Sequence, residues 1–122
     1  SGTILKPNMV LPGKESRGAL ADEVAKLTCE ALQQNVPKDV AGIAFLSGGQ
    51  SDYDATNHLN RINQFAEKSP WPITFSFGRA LLADALSLWA RSKTEAAQTK
   101  LLKRSAENTR ASVGSWEKGP DQ

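Results

Sequence analysis

The 122-residue chain carries 15 Lys and Arg against 13 Asp and Glu, a net charge of +2, with 39% apolar residues. That suits one modest domain with a buried core, and no apolar run approaches the roughly 20 residues that a bilayer span needs. The charge is spread along the sequence, which argues against a nucleic-acid partner, and the lone Cys29 excludes an internal disulfide and fits a reducing cytoplasm.

The opening SGTILKPNMV has no basic region, long apolar stretch or small-residue cleavage site, so it does not read as a secretory signal. Thr3–Leu5 reads as a strand closed by Lys6-Pro7, since proline removes a donor and holds the preceding residue extended. A loop with the Pro12-Gly13 turn signal follows. From Ala19 to Asn35, Leu20, Val24, Leu27 and Ala31 recur at helical spacing, and Pro37 lies beyond the helix end. The continuous apolar run Ala41–Leu46 predicts a strand covered on both faces. It breaks into Ser47-Gly48-Gly49-Gln50. Ser51 and Asp54 then form a capping box for a helix with Ala55, Leu59 and Ile62 inward.

Pro70-Trp71-Pro72 leads into a third strand, Ile73–Phe77, ended by Gly78-Arg79. A helix over Ala80–Trp89 should bury Leu82, Ala85, Leu86 and Trp89. After Ser92 a last helix runs to Ser112 on Ala97, Leu101 and Ala106, with Lys100, Lys103 and Arg104 on a solvated face. Gly114–Gln122 is polar and reads as frayed. Strands separated by helices imply parallel pairing through right-handed crossovers. Three strands alone leave two apolar edges open, so the chain reads as a piece of a larger α/β protein. It has no internal repeat.

Ligands of parallel α/β folds bind at the carboxyl ends of the strands, and each predicted strand here ends in residues suited to that. Lys6 sits among apolar neighbours that would strip its ammonium of water and leave a free amine for attack on a carbonyl; a lysine snorkelling from a strand end fits the same residues. Ser47-Gly48-Gly49 offers close backbone approach and amides for a phosphate, or an ordinary connector. Arg79 at a helix amino end opposes the dipole unless an anion lies between them, and it can grip phosphate bidentately; the alternative is an arginine paired with a carboxylate. His58 has no second histidine or cysteine at ligand spacing, so no metal site is expected. Cys29 reads as inert packing. Trp71, Trp89 and Trp116 read as core or docking residues, and Asp52 and Asp54 as helix-start charges.

Three blocks, Gly2-Thr3-Ile4-Leu5-Lys6-Pro7-Asn8-Met9-Val10, Phe45-Leu46-Ser47-Gly48-Gly49-Gln50-Ser51 and Thr74-Phe75-Ser76-Phe77-Gly78-Arg79-Ala80-Leu81, together resemble class I fructose-1,6-bisphosphate aldolases in order and spacing. The resemblance implies an α/β fold, a partial TIM (β/α)8 barrel in which residues 1–122 supply the last three parallel strands with flanking helices and a C-terminal helix. It implies Lys6 as the Schiff-base nucleophile and Ser47, Gly48, Gly78 and Arg79 as the site for the ketose phosphate. The implied reaction is the reversible cleavage of fructose 1,6-bisphosphate to dihydroxyacetone phosphate and glyceraldehyde 3-phosphate, in glycolysis and gluconeogenesis, with no cofactor and no metal. A sugar-phosphate substrate, no nucleic-acid or membrane partner, a cytoplasmic location and a homo-oligomeric full-length parent complete that picture.

Departures from the family pattern are Ser1 where glutamate is usual, Phe77 where many members have tyrosine, and no long tail ending in tyrosine. The family's acid–base carboxylates come from earlier strands, so the isolated segment is expected to be inactive. Two other readings use the same residues: another Schiff-base sugar-phosphate aldolase, and a non-catalytic phosphate-binding or interaction fragment of a barrel.

Overall fold

A computed structural model describes residues 2–66 and 68–119. The elements come in the predicted order: β1 (Ile4–Leu5), α1 (Ala21–Asn35), β2 (Gly42–Phe45), α2 (Asp52–Phe65), β3 (Ile73–Phe75), α3 (Arg79–Ala90) and α4 (Thr94–Ala111). The sheet order is β1-β2-β3 with both pairings parallel; Ile4 stands opposite Gly42 and Ile43 opposite Ile73. Parallel neighbours need long crossovers, and α1 and α2 provide them.

The strands are shorter than the sequence suggests, but backbone pairing continues past their ends. Ala41 N–H donates to Thr3 C=O, Leu46 N–H to Pro7 C=O and Ser76 N–H to Phe45 C=O, at 2.9, 3.0 and 2.8 Å. Phe77 leaves the ladder, is buried, and packs its ring 5.6 Å from that of Phe75.

The core joins Val24, Ala25, Cys29 and Leu32 of α1 to Ala55, Leu59 and Ile62 of α2 and to Ile43, Phe45 and Ile73 of the sheet. In α2 the predicted inward residues are fully buried, and Ser51 caps the helix by accepting the Asp54 N–H at 3.0 Å. In α1 the period was right and the phase wrong. Leu20 and Leu27 are exposed and Ala31 is half-buried, while Ala25, Thr28, Cys29 and Leu32 face inward with Val24. Thr28 has a reason to be inside, since its hydroxyl accepts the Val10 N–H at 3.0 Å and fixes the loop after β1. Cys29 is buried packing, as read; burial raises the pKa of its thiol.

The two last helices differ most from expectation. α2 packs on α1 and α4 packs on α2, which makes α4 the third helix of the layer. α3 is an extra helix between β3 and α4, and it packs mainly on α4. Its small residues Ala80 and Ala85 face inward, whereas Leu82, Leu86 and Trp89, expected inside, are exposed. In α4, Ala97 is buried as expected, but Leu101 is half-buried and Ala106 exposed. The buried face is completed by Arg104, Glu107, Asn108 and Ala111. Arg104, read as solvated, is 3% exposed.

Beyond α4, Trp116 is buried rather than frayed. Its N–H donates to Asn60 Oδ1 at 3.0 Å and its C=O accepts from Asn60 Nδ2 at 3.1 Å, so the Asn60 amide substitutes for a neighbouring backbone. Trp71 is also buried and donates its indole N–H to Pro37 C=O at 2.8 Å. The substitution noted at Ser1 and the fraying expected over 120–122 lie outside the described residues.

Candidate active site at the strand ends

Parallel pairing puts the carboxyl ends of all three strands on one rim, so Lys6, Ser47-Gly48-Gly49 and Gly78-Arg79 share it. Local packing ties the three turns together. The Leu46–Pro7 hydrogen bond anchors the residue after Lys6 to the end of β2. Asn8 then folds over, its Oδ1 accepting the Met9 N–H at 2.9 Å, and rests on Gly48. A Cβ at Gly48 would lie 2.8 Å from Asn8 Oδ1, on a backbone with φ of +61°. Gly49 is also left-handed, with φ of +81°. Two successive left-handed residues turn the chain sharply into the amino end of α2.

Arg79 comes to the same place from the next strand. Its Nη2 lies 3.5 Å from where a Gly49 Cβ would project. Among the described residues no carboxylate forms an ion pair with Arg79. The guanidinium therefore faces a glycine turn from the amino end of α3. Such an arrangement suits an anion. Gly78 precedes α3 with open space around its Cα, and Ser47 is buried beneath the turn.

Lys6 departs from expectation. Its side chain is exposed, and Ile4 before it is 65% exposed, so the flanking apolar residues do not enclose the ammonium. β1 is an edge strand, paired on one side with β2.

Sequence reasoning missed the residues that hold the middle turn. Gln50 donates through Nε2 to Ser47 C=O at 2.9 Å and to Met9 Sδ at 3.5 Å, and accepts from His58 Nδ1–H on its Oε1. His58 is buried, and burial lowers its pKa. The signal available was the i, i+8 spacing of Gln50 and His58 across a helix start, which is weak by itself. Among the described residues no cluster of three or more His, Cys, Asp or Glu side chains gathers at metal-binding distance. A cavity of about 440 Å³ opens between α1, α2 and the segment after α4, lined by Tyr53, Arg61, Trp116 and Lys118 among others; it contains none of the rim residues.

Parallel pairing places a lysine, two glycine turns and an arginine at the carboxyl ends of the strands, the end where α/β-barrel proteins bind their ligands. Comparison with known proteins narrows that class. The family model for class-I fructose-bisphosphate aldolase matches residues 1–122. The fructose-bisphosphate aldolase of Schistosoma mansoni is 50% identical over 119 residues, 95% of this chain and 33% of that protein. The cytoplasmic isozyme of Cicer arietinum is 46% identical over 99% of this chain and 34% of its own. A co-crystal structure of Plasmodium falciparum fructose-bisphosphate aldolase with TRAP and a small-molecule inhibitor superposes with a TM-score of 0.89 at 39% identity, covering 95% of this chain and 34% of that one.

The chain belongs to the class-I fructose-bisphosphate aldolase family, and its three parallel strands are part of a TIM barrel. It spans about a third of the length of the curated relatives it matches. No helix among the described residues is long and apolar enough to cross a membrane.

Proposed function

We propose that residues 1–122 are the carboxy-terminal portion of a single barrel domain in a cytoplasmic Schiff-base aldolase, and that they supply its nucleophile and the phosphate site for the ketose end of fructose 1,6-bisphosphate. The observation that carries this is Arg79. Its guanidinium is unpaired with any carboxylate among the described residues and lies against the Gly48-Gly49 turn, on the rim that also bears Lys6.

In this reading the sugar's 1-phosphate sits between the glycine turn and Arg79, with Ser47, Gly48 and Gly78 completing the cradle. Binding energy from that remote group fixes the ketone within reach of the amine and converts the attack into an effectively intramolecular step. The Lys6 nitrogen adds to the carbonyl carbon and the carbonyl oxygen leaves as water, giving a protonated imine. The imine accepts the electron pair when the bond between the carbons α and β to it breaks, giving an enamine, while the proton of the departing aldehyde's hydroxyl passes to a base. That base belongs to the rest of the barrel, as does the cover that the exposed Lys6 requires. Addition of a proton to the carbon of the resulting enamine, then hydrolysis, returns the free lysine and dihydroxyacetone phosphate. No step calls for a metal. The parent is read as a homo-oligomer in line with the family resemblance.

The test is borohydride reduction of the full-length parent with dihydroxyacetone phosphate, followed by mass mapping. A single stable adduct on the peptide containing Lys6 is expected, and its loss in Lys6→Ala. An adduct that persists in Lys6→Ala overturns the assignment. A phosphate-binding segment with no covalent chemistry predicts no adduct at all, with phosphate affinity unaffected by Lys6→Ala.

A further inference from the structure

We propose that Arg104 is a positioning residue for the phosphate site: by bridging the first turns of α2 and α3 it sets the gap between the Gly48-Gly49 turn and Arg79. This rests on the phosphate reading above. The two halves of the cradle are carried on different helices, the glycine turn entering α2 and Gly78-Arg79 entering α3. Those helices touch each other little, and each packs instead on α4. Something must hold their amino ends at a fixed separation, because a binding constellation tolerates errors of only about half an ångström.

Arg104 projects from α4 into that junction. Its Nε and Nη2 donate to Ala80 C=O at 3.0 and 2.8 Å, and Nη2 also reaches Asp52 C=O at 3.1 Å. Ala80 adjoins Arg79, and Asp52 is the first residue of α2, three beyond Gly49. One planar, rigid guanidinium thus spans the first turns of both helices. The remaining contacts hold the fork in place. Nη1 donates to Glu107 at 2.6 Å, Nη2 to Thr56 Oγ1 at 2.8 Å, and Thr56 Oγ1 donates to Asn108 Oδ1 at 2.7 Å. The Asp52 carboxylate stands 3.6 Å from Nε.

Stability alone does not account for such a group. A buried ion cluster is often replaceable by apolar side chains without loss, and α4 already has Ala97 and Ala111 for packing. What an apolar replacement cannot do is hold two carbonyls on separate helices at one distance.

The experiment uses the full-length parent and inorganic phosphate as the probe, with Arg104→Lys. Lysine keeps a positive charge beside Glu107, but its point donor cannot span both carbonyls in one plane. The phosphate Kd is expected to rise about tenfold. Borohydride capture of unphosphorylated dihydroxyacetone on Lys6, which makes no use of the cradle, should stay within about twofold. A merely structural role lowers the melting temperature and leaves the phosphate Kd of the folded protein unchanged, or weakens both readouts together; either result overturns the proposal. Arg79→Ala is measured alongside. If it weakens phosphate binding while Arg104→Lys does not, positioning fails and the phosphate site stands. If neither variant changes the Kd, the phosphate reading falls and takes this proposal with it. Should Arg104→Lys not fold, Thr56→Val removes one acceptor of the fork at nearly unchanged volume. Phosphate binding weakened by roughly two- to threefold supports the bridge, and an unchanged Kd overturns it.

Discussion

Position 48 favours glycine through its left-handed backbone, with φ of +61°. A methyl group there would meet the Asn8 amide oxygen at 2.8 Å, on a backbone that L-residues adopt at a cost of about 1–2 kcal/mol. The same close approach brings the lysine turn and the glycine turn together. Across from it, Arg79→Ala in the full-length parent should weaken ketose-phosphate binding by about 1.5–3 kcal/mol, the usual range for a hydrogen bond to a charged group; isothermal titration reads this, and unchanged affinity contradicts the role. These residues were legible in the sequence because each is unusual where it stands: a lysine before a proline, paired glycines after an apolar run, an arginine at a helix amino end. Arg104, Gln50 and His58 were not. An arginine on a polar helix reads as solvated until Ala80 C=O and Asp52 C=O appear beside it. A glutamine says nothing until its partners are known.

His58 carries a testable pH dependence. Burial holds its folded pKa below the ordinary 6.5, so below that pH the unfolded chain takes up a proton that the folded one resists. Stability therefore falls as pH drops from about 6.5 toward the lowered folded value and is fully retained above. Urea unfolding of the full-length parent between pH 7.5 and pH 5 measures this at roughly 0.5-unit steps. The slope should shrink in His58→Gln; an identical slope assigns the effect to other groups. Asp52 runs the other way, since burial raises its pKa and outweighs the pull of the nearby Arg104.

On the scale of elements, period was readable and phase was not. Apolar spacing identified α1, but Thr28 and Cys29 lie inside because the loop N–H of Val10 and the carbonyl of Ile62 are there to meet them, and Leu27 lies outside. The stripe of Leu82, Leu86 and Trp89 on α3 was correctly found and wrongly placed. Its helix sits against α4 through alanines, so the larger apolar side chains fall on the other side. The inward face of α4 was not legible because three of its five buried residues, Arg104, Glu107 and Asn108, are polar. By contrast α2 was read well, cap included, since a capping serine acts within one turn and depends on nothing distant. Ser51→Ala should cost about 1 kcal/mol of stability through loss of the Asp54 N–H acceptor. Denaturant titration checks it, and a cost below the few tenths typical of surface changes argues against the cap.

For the molecule as a whole, the open sheet edges follow from its being part of a barrel. β1 and β3 each have one paired side, and Ile4 is 65% exposed at the edge. The parallel arrangement and the shared rim were legible, because strands separated by helices leave few other topologies. The surroundings of Lys6 were not, because the apolar residues that flank it in sequence do not enclose it in the fold. In the proposed function, the exposed lysine and the turn facing Arg79 would form a site divided between this segment and the remainder of its barrel. A crystal structure of the borohydride-reduced complex of the full-length parent with dihydroxyacetone phosphate tests that division most directly. Continuous density from Lys6 Nζ to the ligand, with its phosphate lodged between the Gly48-Gly49 turn and Arg79, is the predicted result. A phosphate bound elsewhere on the barrel, or a ligand joined to another lysine, contradicts it.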